Sequence, residues 1–129
     1  MFGFLKKRAN SERQKVIEEF TQAINAIKGA DRTVQLAVGH GLNMANSFFF
    51  QKFHDIDAFK AIPKREQLDY LRKLGVTEEE IGKKDPQAAL GFGLFKMWIV
   101  SIIQNDKESM QYLSNELAWL SKAGDLSGT

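Results

Sequence analysis

His40 and His54 are the 2 histidines of the chain, and the stretch "HDID" sets Asp55 and Asp57 beside the second. Imidazole nitrogens next to carboxylate oxygens are ligand types for a divalent metal. On one straight helix the two histidines would stand about 21 Å apart. They cannot share an ion without a sharp turn between them. Aspartates that open a helix accept backbone N–H groups, and that role accounts for Asp55 and Asp57 with less effort. No metal site and no cofactor is expected.

Other reactive groupings are missing. With 0 cysteines, disulfides, thiolate metal sites and cysteine nucleophiles are excluded. Their absence fits a reducing cytoplasm, which is the expected location. "GHGLNM" and "GFGLFK" each contain G-x-G, but both lie in helical patterns and lack the third glycine after a strand, so they do not cradle phosphates. "LRKLGVTEEEIGKK" has the outline of a helix-turn-helix, yet it would turn Glu78, Glu79 and Glu80 toward phosphates of like charge. Nucleic acid is therefore not an expected partner. No catalytic residue is assigned, and a non-enzyme is the favoured reading.

Two polar or aromatic lanes remain. His40, Asn43 and Ser47 follow one side of a helical pattern and are candidates for a polar pocket. Tyr112 and Trp119 stand seven residues apart on the side of the last helix opposite Leu113, Leu117 and Leu120. Aromatics on an otherwise polar face have the composition of a binding anchor. Phe50 joins them, because the run Phe48–Phe49–Phe50 points in three directions, about 100° apart, and one core face cannot take all three. The pattern puts Phe48 and Phe49 in the core arc and Phe50 outside it.

Charge adds one further surface. Residues 1–15 carry Lys6, Lys7, Arg8, Arg13 and Lys15 against Glu12, so the formal net charge of +2 conceals a basic start and a body of −2. Phe2, Phe4 and Leu5 followed by Lys6, Lys7 and Arg8 form an arm able to touch an anionic membrane surface. No secretory signal is visible, since the apolar residues precede the charges. The most apolar run, Ala88 to Ile103, is short for a bilayer span and includes Lys96.

The elements that hold these residues read as helices throughout. The chain has 129 residues, the size of one domain, with 43% hydrophobic and 26% charged residues. Val16, Phe20, Ala23, Ile24 and Ile27 define a first helix over 11–28, opened by Ser11 and Gln14 as a capping box. A second helix follows Asp31, with a bend or stop near Phe50–Phe53, and a short capped turn leads to Pro63. A third, over 63–74, buries Leu68, Leu71 and Leu74 and stops at Gly75. "TEEEI" then reads as a short capped helix. Pro86 to Gln104 is apolar all round, the mark of a central helix. A last helix over 107–122 buries Met110, Leu113, Leu117 and Leu120 and ends at Gly124.

The expected fold is all-α: a compact single-domain bundle of five to six helices around a central apolar helix. Residues 1–10 form a flexible basic arm, 11–123 the domain and 124–129 a tail. The expected function is a small soluble protein-binding module of adaptor, chaperone or inhibitor type. Its partner is another protein or a second copy of itself, as in a homodimer. The alternatives are a helical pocket for an apolar small molecule, given room by Gly39, Gly41, Gly91 and Gly93, and peripheral membrane attachment through residues 1–8.

Overall fold

A computed structural model describes the backbone of residues 2–127 and the side chains of residues 14–124. It is all-α. The helices are α1 (Phe2–Lys28), α2 (Arg32–Phe53), α3 (Ile56–Ala61), α4 (Lys64–Gly82), α5 (Pro86–Ile103) and α6 (Lys107–Ser127). Helix α5 lies in the middle, packed on α1, α2, α4 and α6.

The central pairing depends on close backbone approach. A Cβ on Gly41 would collide with the carbonyl of Ala88, and one on Gly91 with Leu42 N and Val38 O. Helix α2 meets α6 in the same way, Gly39 against Gly124. Glycine costs helix propensity, and here the cost is offset because two pairs of helices pack without intervening side chains. The expected pocket wall at Gly39, Gly41 and Gly91 is therefore filled by neighbouring backbone. Gly93 faces the Glu78 carboxylate instead.

Phe49 is the centre of an aromatic cluster. Its ring lies 5.0–6.0 Å from those of Phe50, Phe53, Phe59, Tyr70, Phe95 and Trp98. Phe48 departs from expectation. It is 47% exposed and rests on the edge of Phe92 rather than in the core. Only the middle residue of the triplet points into the bundle, and its two neighbours flank it.

Helix α2 stops at Phe53, within the expected stretch. His54 takes φ 69° and ψ −55°, and Asp55 N donates to Phe53 O at 2.6 Å. This is a tight γ-turn of the rare positive-φ kind. Asp55 then caps α3, accepting from Ala58 N at 2.8 Å, and Asp85 caps α5, accepting from Ala88 N at 3.1 Å ahead of Pro86. Asp31 occupies the cap position of α2 without a side-chain bond. Gln35 instead reaches back to Ile27 O at 3.1 Å and ties the α1–α2 turn. Buried Gln67 does the same for α3, donating to Phe59 O at 3.0 Å.

Three expected boundaries move. Helix α4 continues through Gly75, and the Thr77 hydroxyl donates to Lys73 O at 3.1 Å instead of capping a new helix. Gly75 carries no positive φ. Packing of Leu71, Leu74 and Ile81 on the core keeps the helix continuous across it. Helix α6 likewise passes through Gly124, which serves the contact with Gly39 rather than a stop. Helix α1 begins at Phe2 rather than Ser11. Leu5, Lys6, Lys7, Arg8 and Ala9 are strong helix formers, and no breaker separates them from the amphipathic stretch. Residues 128 and 129 of the expected tail lie outside the described residues.

Candidate functional site

The lane predicted from His40, Asn43 and Ser47 does not converge. Asn43 turns to α6, donating to Ser121 O at 2.9 Å and accepting from Ser121 Oγ. His40 is exposed, and Ser47 is exposed with only a long bond from Gln51. Among the described residues, no three His, Asp or Glu side chains gather as a metal-ligand set.

Tyr112 and Trp119 do share one face of α6, and α1 lies across it. The Tyr112 hydroxyl is 2.9 Å from Thr21 Oγ1, and its ring meets Phe20 edge-on at 6.0 Å. Trp119 is half-buried, with Lys28 Nζ 5.8 Å from its ring centre. Lys28 also pairs with Glu116 at 2.8 Å. The charge-assisted hydrogen bond from Lys28 holds the Glu116 carboxyl below its usual range, against the opposing cost of burial. The Trp119 N–H adds least to this. It is buried without a hydrogen bond of ordinary geometry, so the lysine contact dominates. Both aromatic anchors thus touch a helix of the same chain, and Tyr112 remains 36% exposed. Phe50 sits apart on α2, 37% exposed, its ring against Phe49. The arm residues Phe2, Phe4, Leu5, Lys6, Lys7 and Arg8 belong to the first turns of α1, and their side chains lie outside the described residues.

Two other surfaces come from the packing. The first is the outer side of α4 and α5. These helices run antiparallel, Gly82 beside Ala89, Glu78 beside Gly93 and Gly75 beside Lys96. The Lys96–Glu78 pair at 2.7 Å fastens them together. Leu90, Gly93, Met97 and Val100 follow one lane of α5 that no other helix covers fully, and Leu90 is 52% exposed. Leu68, at the opposite end of the α4–α5 pair from Leu90, is 47% exposed rather than buried as its spacing suggests. The inner edge of α4 is formed by Gln67, Tyr70 and Leu74 instead. Helix α5 is, among the described residues, the one helix long and apolar enough to cross a membrane, and half of it is buried in this bundle.

The second surface is a cleft of about 180 Å³ between α2, α5 and α6. Leu42, Phe95, Trp98 and Leu117 form its floor, and Asn46, Ser114, Ala118 and Ser121 its rim. Trp98 Nε1 donates to Ser114 Oγ at 2.9 Å, so the Ser114 hydroxyl accepts there and keeps its own proton to donate.

Comparison with protein-family models, curated proteins and solved structures gives no match.

Proposed function

We propose that this protein is a small protein-binding module, and that its docking surface is the outer face of α4 and α5. One observation supports this above the rest: on the apolar helix at the centre of the bundle, Leu90 is open to solvent and Met97 and Val100 of the same lane are only half-buried. Leu90 of that helix is 52% exposed, and Leu68 of its neighbour 47%. Single exposed apolar residues are ordinary, but Leu90 is continued along its lane by half-buried Met97 and Val100, an apolar strip of the kind partners cover, with Leu68 about 20 Å away at the far end of the helix pair. Of the anchors suggested by their spacing, Trp119 is half-buried beside α1, and Tyr112 is bonded to Thr21 of α1 yet still 36% exposed. The α4–α5 side exposes more apolar surface at a single residue, Leu90. An adaptor, chaperone or inhibitor role fits such a surface equally well.

The test is site-specific photo-crosslinking in the source cells. A photoreactive residue at position 90 should trap a protein, and the same residue at exposed position 40 should not. Trapping of lipid alone, or no adduct at position 90, would count against the reading.

The cleft supports a second reading, an apolar small-molecule site. Its floor is aromatic and aliphatic, and Ser114 and Ser121 put hydroxyls at its rim, which is the usual composition of such sites. A bound aromatic molecule would stack near Trp98 and change its emission. Titration with indole-sized compounds, repeated with Ala118→Phe to fill the space, checks it. Emission that responds equally in both proteins would place the binding elsewhere.

A further inference from the structure

We infer that the cavity between the end of α2 and α4 binds a small zwitterion of the amino-acid type with an aliphatic side chain. This site is separate from the α4–α5 docking face and from the Trp98 cleft, and it depends on neither.

The cavity measures about 370 Å³, within the usual range for small-ligand sites. Lys52 and Phe53 bound it from the last turn of α2, and Ile62 from the link between α3 and α4. Its long wall is one lane of α4, formed by Glu66, Asp69, Tyr70 and Lys73 at spacings of three and four residues.

Tyr70 is the residue that points to a ligand. It is 8% exposed, and its buried hydroxyl has no hydrogen-bond partner. Native interiors rarely leave such a group unpaired, because it costs stability. Burial pushes the phenol up to about 12, so at neutral pH it keeps its proton and can donate. Lys52 Nζ lies 5.6 Å from the centre of this ring and 5.7 Å from that of Phe53. Cation–π attraction thus holds the lysine over the aromatic wall.

The charges around the cavity do not neutralise one another across it. Among the described residues, Lys52, Lys73 and Glu66 make no ion pair, and Asp69 is taken by Arg72 at 2.6 Å. A lone anion entering the cavity would meet two carboxylates, and a lone cation two ammoniums. A zwitterion pairs with both signs. Its ammonium goes to Glu66, the carboxylate without a partner, and its carboxylate to Lys73. These two stand about 10 Å apart along α4, a gap that a small ligand and the two side chains fill together. Lys52 leaves the Tyr70 ring to join the ligand carboxylate. That movement uncovers the phenol, whose O–H then donates to the same carboxylate as a charge-assisted bond. The ligand's side chain is left against Phe53 and Ile62, which selects an aliphatic one.

The test is a titration of the isotope-labelled full chain with L-leucine, to about 10 mM, followed by amide NMR shifts. Saturable shifts should centre on Lys52, Phe53, Ile62 and the α4 lane from Glu66 to Lys73. Isocaproate lacks the ammonium, isoamylamine the carboxylate and glycine the side chain, and each should bind at least tenfold more weakly. Glu66→Gln and Lys73→Met should each weaken leucine binding about tenfold, as should Tyr70→Phe. The last variant is expected to be the more stable protein, so its loss of binding cannot come from unfolding. Shifts centred on Trp98 and Ser114 would put the ligand in the other cleft and overturn the proposal. So would the lack of saturable shifts with L-leucine, L-isoleucine and L-valine alike, binding that ignores all three substitutions, or a partial probe that binds as well as leucine.

Discussion

Gly41 of α2 and Ala88 of α5 meet backbone to backbone, so closely that a Cβ on Gly41 would strike the Ala88 carbonyl oxygen. The pair fixes the crossing of the two helices that carry most of the core. It also explains why a glycine persists in the middle of a helix.

Gly41→Ala should therefore destabilise the protein by about 1–3 kcal/mol, since overpacking against backbone outweighs the gain in helix propensity. Gly75→Ala should do the reverse. A Cβ there meets only the flexible end of Lys96, at 3.7 Å. A gain of about 0.5–1 kcal/mol is expected. Urea unfolding of both variants measures the contrast. Equal effects would remove the distinction between a closed and an open glycine.

Tyr70 combines a buried hydroxyl with no partner and a phenol pushed up to about 12 by burial. The folded value lies above the unfolded one, near 10. The neutral phenol is thus fully accommodated below pH 10, and stability falls as pH rises from about 10 to 12, because the unfolded chain ionises first. That alkaline loss should be on the order of 2–3 kcal/mol. Tyr70→Phe should abolish this component and stabilise the protein at neutral pH by about 1 kcal/mol, through removal of an unsatisfied polar atom. Denaturant titrations of both proteins at pH 9 and pH 11.5 compare them directly. A Tyr70→Phe protein that loses as much stability as the parent would show that other groups cause the fall.

Lys28 and Glu116 join α1 to α6 at 2.8 Å, with the glutamate held low by the lysine. A depressed folded value stabilises above the ordinary glutamate range and is lost as pH falls through it. Glu116→Gln should be less stable than the parent at pH 7 by up to about 1 kcal/mol. The two proteins should converge in acid, below the depressed value. A gap that persists unchanged at low pH would mean the side chain acts through packing rather than charge.

His54 is the hinge between α2 and α3, at φ 69°. A residue with a Cβ is strained there, and glycine is not. His54→Gly should raise stability by about 1 kcal/mol. Thermal unfolding reads this as a rise of several degrees in Tm. A fall would mean that the imidazole makes contacts worth more than the strain it carries.

Helical character followed directly from residue order. The 3.6-residue spacing of Phe20, Ile24 and Ile27, the Asp85–Pro86 start of α5 and the Asp55 cap of α3 are local chemistry, legible without the fold. The apolar circumference of residues 86–104 marked the central helix for the same reason. Whether a glycine stops a helix was not legible. Gly75 and Gly124 have the same local signature as a stop, and only packing against α5 and Gly39 carries the helix through them. Periodicity also could not assign sides. Leu68 and Phe48 lie on apolar lanes and are open to solvent, while Trp119 lies on a polar lane and is half-buried beside Lys28 of α1. Side-chain spacing determines which residues share a face. Which face meets another helix depends on the order and tilt of all six, and that is a property of the tertiary structure alone.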